Sequence, residues 1–292
     1  MQYKILYTSD IHGNEAQYKK LADFAFRISP DSIIIGGDIA PKGFPLEVYI
    51  ESQREFLESR LPELLHPLKA KLPGCRLFLM MGNDDCAANM DVLEKGSSIY
   101  QIIHNKRIRL TKEFDLVGYS YVPITPFAIK DWEKYDFSNT PQNLQSYYKH
   151  RKKVNSNLEG LKSTKSGWRE FRFDSEIEKT DSIQKDFESQ LFQKDADKTV
   201  YVIHTPPDKT NLDQAAGGNH VGSMAVRRFI ETRQPYLTLH GHIHETVDIS
   251  GNFKDKIRNT LCLASGNDNA GSAPAVLVFD LYAPQDARRI LL

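Results

Sequence analysis

Short unbroken apolar runs alternate with stretches in which apolar residues recur at helical spacing, and this alternation predicts most of the elements. "YKILYTS" (Tyr3–Ser9), "DSIIIGGD" (Asp31–Asp38) and "CRLFLMMGN" (Cys75–Asn83) read as buried strands, being apolar on both faces. Between them, Glu15–Ile28 reads as a helix with Ala16, Leu21, Ala22 and Phe24 on its apolar face. Leu46 to about Leu72 is helical in pattern, with a break expected near Pro62 or Pro67. Arg107–Thr125 predicts a hairpin turning near Lys112–Glu113. Further on, Thr199–His204 and Pro235–His242 read as strands around a helix at Ser223–Arg233. Thr260–Ser265 and Pro274–Tyr282 read as closing strands. Apolar strands alternating with helices predict an α/β protein whose sheet is covered on both faces.

From Phe127 to Lys198 the pattern weakens. This segment is rich in Lys, Ser, Asp, Glu and Gln, and only Ser182–Phe192 shows helical amphipathicity. A long excursion inside a compact core is typically a lid or binding loop. The expectation is a single domain over residues 1–292, with the charge-rich insertion at about 127–198 as a candidate lid. No internal repeat is visible.

Composition narrows the function classes. The 38 basic and 38 acidic residues cancel, so no global charge recruits nucleic acid or a membrane surface. The three cysteines, Cys75, Cys86 and Cys262, follow no zinc-finger or disulfide spacing. With no signal-peptide pattern at the N-terminus and no apolar run near the ~18 residues of a membrane span, a cytoplasmic protein is expected.

The chemistry gathers at the ends of the predicted strands. The first ends in Asp10-Ile11-His12, the second in Gly37-Asp38, the third in Gly82-Asn83-Asp84-Asp85, and two later ones in His204 and Gly241-His242-Ile243-His244. Ligands of layered α/β proteins collect beyond the carboxyl ends of strands. Asp10, His12, Asp38, Asn83, His204, His242 and His244 exceed what one ion needs and suit two ions sharing a bridging ligand. Mixed imidazole and carboxylate donors favour Mn, Fe, Zn or Co over Mg or Ca. Gly37, Gly82 and Gly241 allow tight backbone turns beside the ions.

In this order, Asp10-x-His12, Gly37-Asp38, Gly82-Asn83-x-Asp85, His204 and Gly241-His242-x-His244 resemble the calcineurin-like metallophosphoesterase superfamily. The resemblance spans both flanks of the insertion. It implies a four-layer α/β/β/α sandwich of two mixed β-sheets flanked by helices. It also implies that Asp10, His12 and His244 hold one metal, that Asn83, His204 and His242 hold the other, and that Asp38 bridges. The implied cofactor is a pair of divalent transition-metal ions, with Mn favoured. The implied reaction is hydrolysis of a small phosphate monoester or diester, a nucleotide among the options, through attack of metal-bound hydroxide. No strong nucleic-acid signal accompanies it. The competing reading is a catalytically weak or inactive scaffold of the same fold, against which the full ligand set argues.

Asp84 departs from the family pattern, which carries histidine there to stabilise phosphate or protonate the leaving oxygen. Near metal ions an ionised Asp84 is a poor proton donor, so leaving-group assistance is expected to be weak. The alternative is that it faces water or caps the next helix. Asp85 is expected to support a ligand or the backbone. Asn14 and His220 are candidate substrate contacts, and Gly222-Ser223 a candidate phosphate cradle at a helix N-terminus. Tyr121–Phe137 offers aromatics for a pocket wall, and Tyr148–Lys153 a small basic run.

Overall fold

The computed structural model describes residues 2–292, apart from the side chains of Ser97 and of residues 152–155. Two six-stranded sheets form its centre. In spatial order the first contains Ala283–Leu291, Ala275–Asp280, Lys4–Thr8, Ser32–Gly36, Arg76–Met80 and Gln101–Ile102. The second contains Lys254–Ile257, Thr260–Ala264, Leu237–His240, Thr199–Ile203, Asp115–Tyr119 and Arg107–Arg109. Lys4–Thr8, Ser32–Gly36 and Arg76–Met80 are parallel, as are Asp115–Tyr119, Thr199–Ile203, Leu237–His240 and Thr260–Ala264. Antiparallel strands join both sheets at their edges, which makes each of them mixed.

Side-chain alternation along the buried strands explains the layering. Leu6, Ile33, Ile35, Leu77 and Leu79 pack with the helices Glu15–Ile28 and Leu61–Lys71 on one side of the first sheet. Ile5, Tyr7, Ile34, Phe78 and Met80 alternate with them and meet Val200, Val202, Leu237, Leu239 and Leu263 between the sheets. On the far side of the second sheet, Val117, Tyr119, Tyr201 and Ile203 pack with the helices Met224–Arg233 and Ile183–Phe187. The order is helix, sheet, sheet, helix, as the α/β/β/α expectation has it.

Three readings of the pattern need correction. The expected break in the long helix is a π-turn instead. Leu46–Glu55 runs through Phe56–Arg60 into Leu61–Lys71, and Leu61 N–H donates to Phe56 O, an i→i+5 bond. The wider turn directly precedes Pro62, which has no N–H to give, and the axis carries on through Pro67. The amphipathic run Ser182–Phe192 splits into Ile183–Phe187 and Gln190–Gln193, because Ser189 is extended. The edge strands Ala283–Leu291 and Lys254–Ile257 carry too many charges to show an apolar signal, which is how sheet edges avoid further pairing.

The 127–198 segment has elements of its own. Ile183, Phe187 and Phe192 complete the outer core of the second sheet. A hairpin, Glu159–Thr164 with Gly167–Arg172, rests on the first-sheet side. There Trp168 Nε1 donates to Leu46 O (2.6 Å), and Ser163 Oγ accepts from Ala88 N (3.0 Å). The aromatics of Tyr121–Phe137 mostly pack inward: Trp132, Tyr135 and Phe137 are buried. In the basic run, Arg151 pairs with Asp208 at 2.6 Å, while the Lys152 and Lys153 side chains lie outside the described residues. Among the described residues, no helix is long and apolar enough to cross a membrane.

The inter-sheet layer should dominate stability. Ile34 is fully buried there. Ile34→Ala is expected to cost about 2–5 kcal/mol. Val48→Ala, at a 47% exposed position, is expected to stay within ~0.5 kcal/mol of wild type. Urea midpoints of the two variants check this.

Candidate metal centre

The carboxyl ends of five parallel strands from the two sheets meet at one rim. Lys4–Thr8 delivers Asp10 and His12, Ser32–Gly36 delivers Asp38, and Arg76–Met80 delivers Asn83. From the second sheet, Thr199–Ile203 delivers His204, and Leu237–His240 delivers His242 and His244. All seven side chains expected to ligate metal thus come to one place.

The backbone there adopts conformations that L-residues usually avoid. Asp10 (φ 56°), His12 (φ 47°), Asp38 (φ 51°) and His242 (φ 69°) are all left-handed. Each costs on the order of 1–2 kcal/mol, a cost typical of functional sites. Cross-loop hydrogen bonds offset it. Asp10 N–H donates to Gly37 O (3.0 Å), His12 N–H to Asp38 O (2.8 Å), and His242 N–H to Asp10 Oδ1 (3.0 Å). Gly82 is required by crowding, since a Cβ there would overlap the Asp38 carboxylate and come within 2.7 Å of His204 Nε2.

The donors face one another. Asp10, His12, Asp38 and His244 each offer an atom within 4.8 Å of the others, a grouping that could hold a metal ion. His12 Nε2 and His244 Nε2 stand 3.1 Å apart, and His12 Nε2 lies 3.6 Å from Asp38 Oδ2. Beside them, His204 Nε2 lies 3.3 Å from Asp38 Oδ2 and 3.1 Å from Asn83 Oδ1. His242 Nδ1 is 2.6 Å from the same Asn83 oxygen. Asp38 Oδ2 thus borders both groups. Asp10 Oδ2 and His12 Nδ1 are buried without a hydrogen-bond partner. An unpartnered buried carboxylate oxygen is costly unless a cation completes it.

Electrostatics agree with this geometry. Burial acts to lower the His204 imidazole, but the Asp38 charge and hydrogen bond, with Asp10 and the Gly36 carbonyl, overcome it and push it up to about 9. Burial acts to raise Asp38, but the charge and hydrogen bond of His204, with the Asp84 N–H, hold it well below the usual carboxylate range. Burial lowers His12 and takes His242 down to about 3, which keeps those imidazoles neutral and able to ligate.

The two adjacent carboxylates have different partners. Asp85 is fully buried and accepts from Gly82 N (2.9 Å), Ile39 N (3.0 Å) and Ala40 N (2.8 Å), which ties the Asp38 loop to the Asn83 loop. Asp84 lies at the rim, where its N–H donates to Asp38 Oδ1 (2.8 Å) and its carboxylate lies 3.5 Å from Lys42 Nζ. Burial, with Asp38 beside it, pushes the Asp84 carboxyl up to about 6, while Lys42 opposes the shift. Sequence reasoning missed Lys42, although it stands only four residues beyond Asp38. It also missed Gln53, whose Nε2 donates to Pro41 O (3.0 Å) and Asp84 O (2.8 Å), and Asn267, whose Nδ2 donates to Ser9 O and Asp10 O (3.1 Å each). Single polar residues such as helical Gln53 and loop-borne Lys42 and Asn267 form no motif, so only the fold reveals these ties.

The calcineurin-like phosphoesterase family model matches residues 3–246. The chain belongs to the calcineurin-like phosphoesterase family. Members of that family usually hydrolyse phosphoesters and typically bind divalent metals. No curated protein matches the chain in sequence. Among solved structures, TT1561 of Thermus thermophilus is similar over 100% of this chain and 99% of its own, at 15% identity and a TM-score of 0.55. A dimetal phosphatase from Danio rerio is similar over 95% of both chains, at 10% identity and a TM-score of 0.49. At that identity the likeness to TT1561 speaks to the fold and to nothing finer.

The remaining sequence candidates have partners of their own. Asn14 caps the helix Glu15–Ile28, accepting from Gln17 N (3.2 Å), and its Nδ2 donates to Asn269 O and Gly271 O (3.0 Å each), so both amide hydrogens are engaged. His220 lies on a short hairpin, Gln214–Ala215 with Asn219–His220, and contacts Asp213 Oδ1 at 2.7 Å through Nδ1. The cradle expected at Gly222-Ser223 is not open. The buried Asp136 carboxylate fills it, accepting from Ser223 Oγ and from Met224 N (3.1 Å), so the helix N-terminus has an internal anion.

Two predictions follow from the crowded rim. Gly82→Ala should leave circular dichroism unchanged yet abolish divalent-metal uptake measured by elemental analysis. In metal-free protein the raised His204 makes the Asp38–His204 pair stabilising below about pH 6.5, and that contribution fades as pH rises to about 9. Thermal midpoints of chelator-treated protein should fall across that window, and His204→Asn should flatten the dependence.

Proposed function

We propose that this rim holds two divalent transition-metal ions and hydrolyses a small phosphate ester. Asp10, His12 and His244 would hold one ion, Asn83, His204 and His242 the other, and Asp38 would serve both. The observation that carries the reading is the facing of His12 Nε2 and His244 Nε2 at 3.1 Å beside a buried, unpartnered Asp10 oxygen. Imidazole nitrogens that close, ringed by carboxylates, are what a tetrahedral or octahedral ion draws together. The donor set suits Mn, Fe, Zn or Co, with Mn favoured.

Such a pair of ions, when bound, supplies Lewis-acid activation of water and neutralises charge on the phosphoryl oxygens. The chain's own residues do the positioning. His204 Nδ1 contacts Gly36 O (2.9 Å), which holds the proton on that nitrogen and leaves Nε2 free to ligate. Asp38 receives the Asp84 N–H on Oδ1, which leaves Oδ2 toward both imidazole groups. Asp85 would hold two ligand loops in register through the N–H groups of Gly82, Ile39 and Ala40. With two cations beside it, Asp84 would stay ionised and be a poor proton donor, so departure of the leaving group would depend on that group's own acidity. We keep His220 as a candidate substrate contact, on a hairpin whose Ala216 N–H donates to Glu245 beside His244.

The substitution at Asp84 is the feature that favours weak catalysis as a second reading. A panel of aryl phosphates with added Mn separates the two: the proposed enzyme turns over, with rates rising steeply as leaving-group pKa falls, whereas a scaffold takes up metal and hydrolyses none. A flat dependence on leaving-group pKa would instead point to an intact general acid. Asp38→Asn should lower turnover by at least ~100-fold, the upper range of loss for a mere supporting partner, while circular dichroism stays that of wild type. Equal rates in both proteins would overturn the bridging assignment.

A further inference from the structure

Among the described residues, Lys42 is the one lysine or arginine within ion-pair distance of a carboxylate in this centre. Its Nζ lies 3.1 Å from His12 Nε2 and 3.5 Å from Asp84 Oδ2. The Lys42 side chain is 32% exposed and that of Asp84 23%, whereas that of His12 is wholly buried. The pair therefore lies on the outward side of the donors. One buried amide sets its spacing: Gln53 Nε2 donates both to Pro41 O, next to Lys42, and to Asp84 O. Tyr49 OH also donates to Asp84 O, at 3.3 Å.

We propose that Lys42, held by Asp84, is a phosphate-binding group of this centre and selects phosphomonoesters over phosphodiesters. The inference rests on the phosphoesterase reading above. A metal ion and an ammonium cannot share the lone pair of His12 Nε2. With that nitrogen committed to metal, Lys42 keeps Asp84 as its partner and has two of its three N–H groups left for a substrate. The count of oxygens then decides the class. A diester has two unsubstituted oxygens on phosphorus, and two ions suffice to engage both. A monoester has a third unsubstituted oxygen and a second negative charge. A compact ammonium point charge at the rim rewards both features. Asp84 balances the lysine when no substrate is present, so the ammonium is held in place without adding net charge.

The test uses the full-length protein loaded with Mn, as wild type, Lys42→Gln and Lys42→Arg, with metal content measured in each. Inorganic phosphate is titrated by calorimetry. Then kcat/KM is measured for an aryl monophosphate and for a bis-aryl phosphate. Expected for Lys42→Gln is unchanged metal content, about tenfold or more weaker phosphate binding, and a comparable fall in kcat/KM on the monoester with the diester nearly unaffected. Lys42→Arg should recover much of the binding. The inference is overturned by unchanged phosphate affinity, by equal falls on both esters, by altered metal content, or by a wild-type protein that hydrolyses the diester alone. A wild-type protein that takes up metal but neither binds phosphate nor hydrolyses either ester removes the phosphoesterase reading itself, and this inference with it.

Discussion

Buried like charge is the constraint that organises this molecule. Asp10 and Asp38 sit almost wholly out of water, at the ends of neighbouring strands, among four imidazoles. Carboxylates in such a place must be paired, protonated or bound to cations. The chain answers partly with its own groups. His204 turns cationic against Asp38, and backbone N–H groups of His242 and Asp84 donate to Asp10 and Asp38. One Asp10 oxygen is still unpartnered, and that residual demand is what a metal would meet. The parallel strands exist at this rim to bring the donors there, and the inter-sheet core exists to hold the rims of two sheets together.

Most of the core was legible because buried strands and amphipathic helices leave period-two and period-3.6 signals. Glu15–Ile28 is bounded as its pattern predicted, with Asn14 as cap. Three of the five motif-bearing strands end where Gly37, Gly82 or Gly241 meets a polar residue, because a Cβ at each of these glycines would overlap a neighbouring side chain. Less legible were elements whose polarity contradicts their structure. Ala283–Leu291 forms the longest strand, yet its Gln285, Asp286, Arg288 and Arg289 hide it. The π-turn at Phe56–Arg60 leaves no compositional trace at all.

At the site the division is similar. The seven candidate ligands announce themselves through residue type and order, and the fold brings them to one rim. What supports them does not. Gln53 and Asn267 act through backbone carbonyls of other segments, and such pairings depend on tertiary geometry alone. Gly222-Ser223 shows the opposite error: a local pattern suited to binding an anion already has one, supplied by Asp136 from far along the chain. An open helix N-terminus can be inferred from sequence only when no distant carboxylate is free to fill it.

Asp85 has a wider consequence. Its three hydrogen bonds fasten two donor-bearing loops without using any donor. Fastened in this way, the loops would not have to reassemble each time a cation came or went. Were an ion held here, loops fastened by Asp85 would leave its selection to cellular supply and ligand softness as much as to the polypeptide.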